Sequence, residues 1–89
     1  MKQKKKKIKI VYKDLGKQLG YWDPKTAEIV VNSRQSKEQQ DIVLIHECLH
    51  AVAELLKQNK FIKILPSHDF IEKAAYNLLY LFKQAKKWR

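Results

Sequence analysis

The 89-residue chain has one cysteine, Cys48, and that count alone closes several routes. No internal disulfide can form, which suits a reducing cytoplasm, and a cysteine-rich metal site is excluded. Cys48 itself reads as a small apolar residue with no catalytic role. Acidic residues are also scarce: 9 Asp and Glu face 19 Lys and Arg, leaving a net charge of +10. No apolar run approaches the length needed to span a bilayer, so no membrane partner is expected. The first residues carry the charge of a signal-peptide start, but Lys9, Lys13 and Asp14 interrupt the apolar stretch that should follow. The expected location is therefore the cytoplasm. Repeats and Gly/Ser linkers are missing, so nothing divides the chain internally. A basic tail at residues 1–7 and one domain at 8–89 are expected, with a thin core to which a bound metal could add stability.

What is present in excess is lysine, in two blocks. Lys2, Lys4, Lys5, Lys6, Lys7 and Lys9 form one, and Lys83, Lys86, Lys87 and Arg89 the other. Such blocks are usually solvated tails, although they can also attract nucleic acid or an acidic partner without sequence preference. Aromatic residues do not interleave with them as a base-stacking platform requires.

Hydrophobic periodicity divides the remainder into strands followed by helices. Ile8, Ile10 and Tyr12 alternate as in a half-buried strand, and Leu19 to Trp22 reads as a second. Asp23-Pro24-Lys25-Thr26 supplies a turn, and the β-branched run ending at Asn32 completes a hairpin of residues 19–23 with 26–32. Ser36-Lys37-Glu38-Gln39 has the form of a capping box and starts a helix ending near Gln58-Asn59-Lys60. Its core seam is expected along Ile42, Ile45, Leu49, Val52 and Leu56. Ser67 caps a second helix with an expected buried stripe at Ile71, Ala74, Leu78, Leu81 and Ala85. The fold class is α+β: a small antiparallel sheet of about three N-terminal strands packed on two helices.

The first helix carries His46-Glu47-Cys48-Leu49-His50, an H-E-x-x-H signature. Residues four apart on a helix stack one above the other, so both imidazoles can bind one metal ion. Glu47 projects beside them, close enough to handle a proton on metal-bound water without ligating. Two histidines leave a zinc ion short, because catalytic zinc usually takes three protein ligands. Ala53 and Leu56 occupy the places where an extended motif would put Gly and a third His. The second helix offers His68, Asp69 and Glu72 instead. His68, Glu72 and Tyr76 share one of its faces, and Glu72, in the middle of that stripe, is the preferred third ligand with His68 the alternative. With Glu72 ligating, His68 or Tyr76 can donate to a developing oxyanion. Glu54, one turn after His50, either orients a ligand or is a solvated helix charge.

Three stretches together give the chain the look of a very small gluzincin-type zinc metallopeptidase. They are Gly20 to Asn32, Ile42 to Ala53 around the histidines, and Glu72 to Leu81. The sequence most resembles the ImmA/IrrE-like proteins and the minimal H-E-x-x-H proteins of phages and mobile elements. The resemblance implies one zinc ion held by His46, His50 and Glu72, with Glu47 as general base. It also implies a sheet whose edge strand, expected at Glu28 to Asn32, aligns an extended protein or peptide substrate by main-chain pairing. In ImmA-like proteins that substrate is typically a helix-turn-helix repressor. The rival expectation is a basic nucleic-acid-binding or protein-binding module with a structural or vestigial zinc site.

Overall fold

The computed structural model describes residues 7–87. The lysines at positions 2–6 and Arg89, and with them most of the expected tail, lie outside the described residues. Three strands precede two helices: β1 Lys9–Lys13, β2 Gly20–Asp23, β3 Glu28–Asn32, α1 Lys37–Gln58 and α2 His68–Lys87. The α+β class stands. The sheet, however, is mixed, in the order β1-β3-β2. β2 pairs antiparallel with β3 across the hairpin, whose turn is closed by a hydrogen bond of 2.9 Å from the Lys25 N–H to Asp23 Oδ1. β1 runs parallel to β3 on its other side.

This order corrects one expectation. Glu28–Asn32 is the central strand, with both edges already paired, and cannot align a substrate. The sheet edge next to α1 belongs to β2. A central position also explains the composition of β3: Ile29, Val30, Val31 and Asn32 are all buried, as β-branched residues on a two-sided strand should be. Asn32 is only 3% exposed and ties the loops together. Its amide nitrogen donates to the carbonyls of Gly16 and Gln18 at 2.9 and 2.8 Å, and its Oδ1 accepts from the Leu15 and Arg34 N–H groups at 3.3 and 3.0 Å.

Ser36 caps α1 by accepting from the Gln39 N–H at 3.2 Å, and Asn59 closes it by returning to the Leu55 carbonyl. Such a cap stabilises a helix by about 1 kcal/mol. α1 crosses β2 and β3, and among the described residues the backbone of α2 packs beside α1 and no strand. Because α1 is covered from two directions, its buried positions do not follow one narrow seam. Ile42, Val43, Ala51 and Ala53 are buried, whereas Val52, expected inside, is half exposed. On α2 the buried residues are Ile71 and Ala75, with Leu79 packed against the core. That stripe is rotated from the expected Ala74, Leu78 and Leu81, and Leu81 is exposed.

Candidate metal centre

α1 and α2 meet at three imidazoles. His46 and His50 sit one turn apart on α1, their Nε2 atoms 3.1 Å from each other. His68 opens α2, where Ser67 accepts from the Phe70 N–H at 3.1 Å and sets the direction of the first turn. Its ring centroid lies 4.8 Å from that of His46 and 5.6 Å from that of His50. One ligand atom from each ring falls within 4.8 Å of the others. Donors about 2.0–2.1 Å from a tetrahedral ion are roughly 3.3 Å apart, so the α1 pair already stands near ligating separation. Nitrogen donors of this kind suit zinc.

The electrostatics favour the ligating form of the α1 rings. Burial pushes the pKa of His46 below the usual histidine value, the charges of His50 and His68 push the same way, and Glu72 opposes them. Burial also lowers His50, helped by His68 and opposed by Glu54. Neutral imidazole is the state that binds a cation. Glu47, between the two histidines and half buried, has its pKa raised by burial, with His68 acting against the shift. The Cys48 thiol is pushed up by burial and then by Glu47, which leaves it a poor nucleophile.

Two cavities flank Glu47 and Gly20, which line both. One, of about 330 Å³, also holds His46, His68, Glu72 and Tyr76. The other, of about 470 Å³, reaches from His50 past Glu54 to Trp22 and Leu65. Glu72 therefore shares a cavity with the imidazoles, but the three converging donors are His46, His50 and His68. Asp69 is turned to the surface, paired with Lys73 at 3.1 Å. Tyr76 is exposed at the rim. Sequence reasoning did not anticipate the contact between Trp22 and Glu54, in which the indole N–H donates to the carboxylate across 32 residues. No spacing rule signals such a pair.

The family model described as Peptidase_M78, the IrrE N-terminal-like domain, matches residues 3–78. The chain belongs to that family. No curated protein and no solved structure matches it.

Proposed function

From membership of the IrrE N-terminal-like family, we propose that this chain is a zinc metallopeptidase acting on a protein or peptide substrate. The observation that carries the reading is the convergence of His46, His50 and His68 beside Glu47, at the junction of two cavities. His46, His50 and His68 would hold the ion, with Glu72 beside His46 to orient that ring or to complete the shell. Zinc bound there would supply Lewis acidity to polarise a peptide carbonyl and make water more acidic.

The protein's own groups do the rest. Glu47 takes the proton of the attacking water on a carboxylate oxygen and delivers it to the leaving nitrogen. The edge of β2, Gly20–Asp23, offers unpaired main-chain groups to an extended peptide, since only one side of that strand is used by β3. A peptide lying there passes Gly20 and Glu47 with one cavity on each side. Tyr76 can donate to the oxyanion from the rim of the smaller cavity. A further feature supports an enzyme over a purely structural metal site: a carboxylate between the histidines has no ligating role to play there.

The test is a pair of substitutions read for zinc content and for digestion of a random peptide library by mass spectrometry. Glu47→Gln should retain zinc and lose cleavage, and His46→Ala should lose both. Equal cleavage by Glu47→Gln and the parent would refute the assignment.

A further inference from the structure

We infer that the larger cavity is a subsite for a lysine or arginine side chain of the substrate, selected by Glu54. The inference rests on the peptidase reading and narrows its substrate class. The cavity begins at Glu47 and His50, so a residue entering it flanks the bond being cut. Its walls are Tyr21, Trp22, Pro24, Leu65 and Pro66, which are largely apolar or aromatic. Glu54 supplies the charge. It is half buried, and the Trp22 indole N–H holds its carboxylate in place.

Lys and Arg outnumber Asp and Glu by 19 to 9, yet only Asp14, Glu38, Asp41 and Asp69 have a cationic partner among the described residues; Glu54 is one of the five carboxylates without one, and with Glu47 it lines the larger cavity. Among the described residues no Lys or Arg reaches Glu54. A half-buried carboxylate with one neutral donor still has acceptor capacity on its other oxygen. Long cationic side chains match the cavity in both parts. Their methylene stems cover apolar wall and stack on aromatic rings, and their heads reach a carboxylate in a charge-assisted bond. An aliphatic side chain of equal length would fill the walls but desolvate Glu54 without replacing the lost water. An acidic side chain meets Glu54 and Glu47 as like charges. Glu54 also stands one turn beyond His50, about 6 Å along the helix axis, so a substrate cation bound to it is displaced from the metal centre.

Glu54→Gln separates the two duties of the residue, because the amide oxygen can still accept from Trp22 while the charge is gone. The binding probe is zinc-loaded Glu47→Gln protein carrying Trp88→Phe, which leaves Trp22 as its single indole. Blocked pentapeptides with a central lysine, norleucine or glutamate in an alanine background are titrated against its emission. The lysine peptide should bind at least about tenfold more tightly than norleucine, and adding Glu54→Gln should erase the difference. Equal affinity for lysine and norleucine, or a preference that survives Glu54→Gln, overturns the subsite. In parallel, library digestion by the parent protein should yield cuts flanked by lysine or arginine. Zinc-dependent cuts without that enrichment overturn the subsite and leave the peptidase standing, whereas no zinc-dependent cut at all removes the peptidase reading and the subsite with it.

Discussion

Gly20→Ala should destabilise the fold and impair catalysis without weakening metal binding. Gly20 opens β2 where the strand meets α1. A Cβ there would lie 2.6 Å from Val43 Cγ1 and 2.7 Å from the Val30 carbonyl oxygen. The backbone at Gly20 does not have positive φ, so the demand is for space, not for conformational freedom. Val43 is only 6% exposed and its methyl has little room to retreat. The Val30 oxygen belongs to the central strand and cannot move without disturbing both neighbours. β2 must therefore shift outward, and overpacking of this kind costs about 1–3 kcal/mol. A loss of about 2 kcal/mol lowers Tm by about 8–16 °C in a domain of this size. His46, His50 and His68 stand on the helices, so zinc affinity should stay within a factor of about two. Cleavage should fall further than stability alone explains, because Gly20 lines both cavities beside Glu47. Thermal melts followed by circular dichroism, zinc titration and library digestion give the three readouts. Combining Gly20→Ala with Val43→Ala removes one of the two clashes, so the double variant should be more stable than the sum of the single losses. Unchanged melting of Gly20→Ala, or strict additivity with Val43→Ala, would refute the packing argument.

Other outcomes follow from the same geometry. His68→Ala should lower zinc affinity as severely as His50→Ala, whereas Glu72→Gln should weaken it by only about 10–100-fold, as an orienting group would; isothermal titration with zinc ranks them, and the reverse order would make Glu72 the third ligand. Asn32→Ala strands two loop carbonyls and two N–H groups and should cost about 2–4 kcal/mol in urea unfolding; a loss under about 1 kcal/mol would mean that water replaces the side chain freely. Removing zinc with a chelator should lower stability by about 2.7 kcal/mol relative to protein held at a free-ion level one hundred times its Kd, and a melting curve indifferent to zinc would argue against a site in the folded state.

Local features of the molecule are legible in the sequence. The Ser36 cap, the Asp23-Pro24 turn and the one-turn spacing of His46 and His50 depend on residues a few positions apart, where helix and turn geometry leave little choice. Tertiary choices are not. Alternation in Ile8 to Tyr12 shows a strand but names neither its partner nor its inner face: β1 pairs parallel with β3, and Ile10 and Tyr12, expected to be the half-buried side, are exposed while Val11 is half-buried. The α2 stripe was right only in part, for a related reason. Ile71-Ala74-Leu78 and Ile71-Ala75-Leu79 both satisfy helical spacing; Ile71 is buried as expected, and packing on α1 buries Ala75 while Ala74 and Leu78 stay half-buried. The same rotation bears on the third donor: spacing placed His68, Glu72 and Tyr76 on one face, but the crossing of α2 over α1 decides which comes nearest the imidazoles.

The attachment of α2 is one-sided, because among the described residues its backbone packs beside α1 and beside no strand. At its far end a largely solvated bridge from Lys83 to Glu38, 3.1 Å long, contributes little. At its near end stands His68. A cation shared with His46 and His50 would act there as a rivet, closing the segment between residues 50 and 68 into a ring. Amide exchange over the first turns of α2 should then follow metal supply, with the sheet protected throughout. Starved of the ion, the protein would keep a folded body and a loosened arm, and proteases would find that arm first.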